Sequence, residues 1–152
     1  MQPLAPPAGW QTFDGGPDGY QLSLPAGWLP RLRSGSTPSV RYFASADVQA
    51  PLEMTADAVW LSVIVGSDTA SACARPPSGT VIGSSHAWLG GAEATAYLVG
   101  PIAGGVEPTW KTTTATYRLG TCYQLVFVTI AAATQQAQQA TMVQIEATFR
   151  FS

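Results

Sequence analysis

The chain has 152 residues, of which 46% are apolar and only 11% charged, with a formal net charge of −2; one domain with a real core fits that length, while disorder, which pairs low hydrophobicity with high net charge, does not. The cations Arg31, Arg33, Arg41, Arg75, Lys111, Arg118 and Arg150 are scattered, which argues against nucleic acid as a partner, because phosphate neutralisation needs a basic patch or stripe. The longest dense apolar stretch, Val59 to Val65, has strand length and falls far short of the ~20 residues that cross a bilayer as a helix.

Residues 1–9 read as a flexible Pro-rich lead, and residues 10–152 as a single domain without internal repeats. The front reads as the start of a chain whose leader has been removed, and a lipid anchor upstream is compatible with it. Trp10 to Phe13 has the length of a short first strand. Asp14-Gly15-Gly16-Pro17-Asp18-Gly19 is a turn: Gly allows positive φ, Pro fixes φ, and Asp bonds its own backbone. Tyr20, Leu22 and Leu24 alternate with Gln21 and Ser23, the period of a half-buried strand. Pro25-Ala26-Gly27 ends that strand, and Trp28 is expected to fold back over the core edge. Val40 to Ala44 predicts a further strand. Asp47 to Asp57 is ambiguous, because Ala, Leu, Glu and Met favour a helix that Pro51 interrupts.

Val59 to Val65 is rich in β-branched residues and apolar nearly throughout, which predicts a central strand covered on both faces. Ser67 to Ala74 predicts a short helix capped by Ser67 or Asp68, stopped at Pro76-Pro77-Ser78-Gly79. His86 to Leu89 and Ala92 to Val99 flank Gly90-Gly91 as a hairpin or bulged pair would. Gly100 to Pro108 predicts a loop. Trp110 to Leu119 is Thr-rich and alternates weakly, like an exposed strand, and Cys122 to Ile130 is a strong strand. Thr134 to about Ala147 predicts a helix capped by Thr134, with Ala137, Ala140, Met142, Ile145 and Phe149 on its apolar face. Thr148-Phe149-Arg150-Phe151 fits a last edge strand or a cap. These elements add up to an α+β domain, an antiparallel sheet with helices packed on it.

Gly19-Tyr20-Gln21-Leu22-Ser23-Leu24-Pro25-Ala26-Gly27-Trp28 near the start, and Cys122-Tyr123-Gln124-Leu125-Val126-Phe127 followed by a helix and Thr148-Phe149-Arg150-Phe151 at the end, resemble the opening and closing segments of the PsbP-like family. That family is named for an extrinsic subunit of the photosynthetic oxygen-evolving complex. Its bacterial relatives include small exported lipoproteins without an assigned activity. The resemblance frames roughly residues 10–151 and rests on two short motifs. It implies an α/β/α sandwich used for binding and assembly more than for catalysis, and it carries over no site residue.

The residues themselves offer little chemistry. His86 is the only histidine, whereas a zinc site takes three or four ligands at suitable spacing, so no metal is expected. Asp14 and Asp18 bracket a Gly-rich turn without EF-hand spacing. Ser84 shares the strand face of His86 and Ser85 does not, yet no nucleophile elbow accompanies them. No Gly-rich phosphate loop is present, and no cofactor is expected. Cys73 and Cys122 are candidate disulfide partners or two buried thiols. Of five tryptophans, Trp60 reads as core and Trp28 and Trp88 as core edge. Trp10 and Trp110 lie beside loops and are the candidates for a binding surface. The leading expectation is a non-catalytic extracytoplasmic binding or assembly module, secreted, periplasmic or lipid-anchored, whose partner is a protein or an envelope component. The alternatives are a structural or chaperone-like subunit of an envelope complex, or a hydrolase of unrecognised type using His86.

Overall fold

The computed structural model describes residues 2–31, 39–48, 54–102 and 109–152. β1 (Gln11–Asp14) and β2 (Tyr20–Leu24) are joined by a 3-10 turn over Gly16–Asp18. Asp14 Oδ1 accepts the Gly16 N–H at 2.7 Å, and Gly19 closes the turn at φ +78. β3 (Leu29–Arg31), β4 (Ser39–Ala44) and β5 (Trp60–Ser67) follow, and then a single helical turn, α1 (Ala70–Cys73). β6 (Val81–Leu89), β7 (Ala92–Ile102), β8 (Thr109–Arg118) and β9 (Thr121–Thr129) come next, then α2 (Ala132–Thr148) and β10 (Arg150–Phe151).

All strand pairs are antiparallel. A three-stranded sheet has the order β1-β2-β10, and a seven-stranded sheet the order β3-β4-β5-β9-β8-β7-β6. β5 and β9 lie side by side near the middle of the large sheet, which is why their sequences are the most apolar. Leu61, Val63 and Val65 of β5 and Tyr123, Leu125 and Phe127 of β9 point to one face. There they meet Tyr20, Leu22 and Leu24 of the small sheet, Met142 and Ile145 of α2, and Phe149. β10 pairs with β2, so Phe151 stands opposite Tyr20 and the last residues close the core. Phe149 and Phe151 stack edge-on against Tyr123, and the Arg118 guanidinium lies 4.4 Å from the Phe151 ring centre. On the other face of β5, Trp60 is buried with Ala44, Val48, Met54 and Ala58. The expectation of a strand covered on both faces holds, and the architecture is α+β as expected.

Several boundaries differ from the sequence reading. The cap of α1 is Thr69, whose Oγ1 accepts the Ala72 N–H at 3.2 Å; Ser67 still belongs to β5, and Asp68 bonds the Thr69 N–H instead. Thr134 does not cap α2, since the helix already starts at Ala132 behind Ala131, and the Thr134 hydroxyl donates to the Ala56 carbonyl. Ala137 and Ala140 are exposed, while Gln135, Glu146 and Thr148 are buried beside Met142 and Ile145. The sheet beneath α2 decides which stripe is covered, and the neighbouring strands supply partners for polar side chains there. Thr148 Oγ1 accepts the Ser23 N–H at 3.1 Å and donates to the Ile145 carbonyl at 2.7 Å.

β3 had no sequence signal, because its middle residue is Pro30; proline is tolerated there since β3 is an edge strand that, among the described residues, pairs only with β4. β6 starts at Val81 rather than His86, its first half disguised by Gly83, Ser84 and Ser85. β7 runs through a cis Gly100–Pro101 bond to Ile102, so the expected loop is shorter at its start, and its remainder, residues 103–108, lies outside the described residues. The described flanks of the ambiguous 47–57 segment are bends and turns, while residues 49–53, with Pro51, and Arg33 lie outside the described residues.

Candidate functional site

Because α2 and the small sheet occupy one face of the large sheet, and Trp60 with its neighbours covers β4 and β5 on the other, the second face of β7 and β8 stays open. Side chains alternate along each strand, so Glu93, Thr95 and Tyr97 of β7 and Thr113, Ala115 and Tyr117 of β8 share that open face. The register puts Tyr97 opposite Thr113, Ala115 opposite Gln124, and Tyr117 opposite Cys122. Cys122 is bonded to Cys73, with Cα atoms 5.6 Å apart. This disulfide sets α1 on the open face and turns Cys73, Ala74, Arg75 and Pro77 into a wall. Asp68 N–H donates to the Gly120 carbonyl at 3.1 Å, fixing the entry of α1 to the β8–β9 turn. Sheet and wall enclose a groove of about 390 Å³, within the range of small-ligand and peptide sites.

The groove offers hydroxyls from Thr95, Thr113, Tyr97 and Tyr117, the amide of Gln124, and one exposed charge of each sign, Arg75 and Glu93. Tyr117 is 40% exposed, enough ring to cover an incoming chain. The two groups that burial moves furthest from their ordinary pKa lie elsewhere. Tyr20 is pushed up to about 12 by burial, with nearby Arg41 opposing and Asp18 adding to the effect. Glu146 is pushed up to about 7 by burial, against the hydrogen bond from Thr114. Among the described residues no three His, Cys, Asp or Glu side chains come together as a metal set.

His86 stands opposite Thr95 on the edge strand β6, its side chain 57% exposed. Its Nε2 lies 3.4 Å from Glu93 Oε1, and its ring stands edge-on to Trp88. Ser84 and Ser85 are exposed, and no hydrogen bond joins Ser84 to His86, so the nucleophile–base contact of a hydrolase is not formed. Asp14 and Asp18 do not converge on a cation site: Asp14 serves the Gly16 N–H, and Asp18 lies 3.9 Å from Arg41 Nε. Trp10 and Trp110 are half-buried and do not line the groove. Trp10 packs on the main core, and Trp110 sits in β8 opposite Thr129, close against Gly100.

The groove residues were not singled out from sequence. The available signal was the weak alternation of Thr113, Ala115 and Tyr117 in a strand that reads as exposed. What it lacked was the disulfide that brings Arg75 and Pro77 over that strand.

The fold is the PsbP-like α+β fold. It matches the solution structure of cyanobacterial PsbP (CyanoP) from Synechocystis sp. PCC 6803 with a TM-score of 0.60 and 16% identity, over 97% of this chain and 95% of that one. A crystal structure from Bacteroides thetaiotaomicron matches with a TM-score of 0.59 and 12% identity, over 95% of this chain and 49% of that one, so this chain spans about half its length. At these identities the likeness defines the fold alone. No protein-family model matches the chain, and no curated protein matches it. No helix among the described residues is long and apolar enough to cross a membrane.

Proposed function

We propose that the chain is a non-catalytic, extracytoplasmic binding module that receives a segment of a protein partner in the groove between α1 and strands β7 and β8. The observation that carries this reading is the lining of that groove: neutral hydrogen-bonding groups and two tyrosines, flanked by Arg75 and Glu93. Tyrosine supplies contact area at low entropic cost, and arginine anchors interfaces. A hydrolase would need converging acid, base and nucleophile in the cleft; here His86 stands at the rim, without a serine partner. The disulfide supports an oxidising compartment, because such bonds are kept reduced in most cytosols. Trp10 and Trp110 remain a separate proposal for a second contact surface, since both keep part of their rings accessible.

The test is site-specific photocrosslinking in the envelope of the source cell. A photoreactive phenylalanine analogue at Tyr117 is expected to give a discrete protein adduct that weakens when Tyr97→Ala and Arg75→Ala are combined. The control position is Gln136, on the exposed side of α2. Equal adducts from both positions, or none from Tyr117, would overturn the reading.

A further inference from the structure

Away from that groove, α2 crosses β6, β7 and β8 on the opposite face of the sheet and leaves a cleft of about 120 Å³. Glu146 of α2 lies against it with 1% of its surface exposed. Its Oε1 accepts the Thr114 hydroxyl at 2.9 Å, but its Oε2 is buried without a hydrogen-bond partner. Thr112 also lines the cleft, and its Oγ1 is buried and unpartnered as well. Buried polar atoms are almost always satisfied, and a pair left open beside one cavity points to a ligand group that completes them.

The missing group has a definite charge. Glu146 is the only charged residue of α2. No lysine, arginine or histidine lines the cleft from β6, β7 or β8, and Lys111 alternates to the other side of β8. The core residues of β2 and β9 that face α2 are Leu22, Leu24, Leu125 and Phe127. Among the described residues, the buried carboxyl therefore has no cation of its own. Leu98 and Met142 make an apolar wall beside it, and Gln135 brings an amide. The cleft is slightly smaller than the ~150 Å³ cavity that holds benzene in an engineered protein, so its ligand has about five or six non-hydrogen atoms.

We propose that this cleft binds a small primary amine as its alkylammonium ion, with the ammonium on Glu146 and Thr112 and the alkyl chain against Leu98 and Met142. Burial lifts the Glu146 carboxyl to about 7, and an arriving ammonium favours its ionised form. Binding in the acid range then releases one proton from Glu146, so affinity rises with pH up to about 7 and levels off above it.

Butylammonium chloride is the probe, followed by NMR of the Glu146 carboxyl carbon and the amides of α2 and β8, with tetramethylammonium, which has no N–H donor, as the control. The expected result is a saturable shift confined to the cleft, with an apparent affinity about tenfold weaker at pH 6 than at pH 8. Glu146→Gln should abolish it. Gly83→Leu should also abolish it by filling the cleft from β6, where an added Cβ meets no atom within 4 Å, so loss of binding does not rest on the Glu146 variant alone. The proposal fails if butylammonium gives no saturable shift, if Glu146→Gln responds as the wild type does, or if tetramethylammonium shifts the same signals. A crystal soaked in the amine that shows only water bridging Glu146 and Thr112 would equally overturn it.

Discussion

A carboxyl group buried without a cation costs more to ionise than to keep protonated, and Glu146 carries that cost for this domain. Its ordinary value is 4.5 and burial takes it to about 7. The folded state therefore holds its proton more tightly than the unfolded chain does. Below pH 4.5 both states are protonated and Glu146 contributes no penalty. As pH rises toward 7 the unfolded chain ionises first, so stability falls, by about 3 kcal/mol in all, and the fall ends once the folded carboxyl is also charged. Glu146→Gln is expected to remove most of this slope, as read from urea midpoints across the pH range; an unchanged slope would place its origin elsewhere. A sequence reading had no access to this residue. Nothing in the chain around Glu146 marks it as buried, and only the packing of Thr114 against it shows that it is. The same scale explains what was legible. Tyr20, Leu22 and Leu24 alternate cleanly because they face a core on one side, and each is fully or nearly fully buried.

At the scale of elements, α1 is too short to hold itself on the sheet. A four-residue helix is far below the length at which helices persist alone, so the Cys73–Cys122 bond and the Thr69 cap hold it in place. Replacing both cysteines by alanine should cost about 2–5 kcal/mol, measured by urea denaturation, and should weaken any partner crosslink through Tyr117 because the groove loses its wall. The longer α2 gives a second check. Ile145→Ala should cost about 2–5 kcal/mol, as large-to-small changes in cores do. Ala140→Lys should leave the midpoint within about 0.5 kcal/mol, as exposed changes do. Had the apolar stripe run through Ala137 and Ala140, the second variant would be damaging as well. Ile145 lies on both the expected and the observed face, so Ala140→Lys is the variant that separates the two, with Ile145→Ala as the positive control. The error came from reading alanine as core-facing, when alanine suits either side of a helix.

For the whole molecule, residues 10–152 are proposed to unfold as one cooperative unit, because the core joins the first strands to the last: β10 pairs with β2, and Phe149 stacks on Tyr20. The residues ahead of β1 are tied to that unit by the Leu4 N–H on the Ala147 carbonyl, at 2.8 Å. Deleting residues 2–9 should therefore lower stability by about 1 kcal/mol, the worth of a hydrogen bond or so, while calorimetry still shows a single transition. A loss of cooperativity would mean that the lead is part of the core.

What the sequence determined by itself is the part governed by short-range periodicity and turn chemistry. It includes the strands around Trp60 and Leu125, the Asp-Gly-Pro turn before Tyr20, the C-terminal helix and the α+β class. Those features follow from which neighbours along the chain are apolar, and neighbours along the chain are visible in a sequence. What only the tertiary structure decided is everything that depends on residues distant in the chain meeting. The split into two sheets, the edge strand at Pro30, the groove under Arg75 and the buried Glu146 all belong there. Their cause is the pairing of strands far apart in order, and a side chain's burial, charge state and partners are properties of that meeting rather than of its own identity.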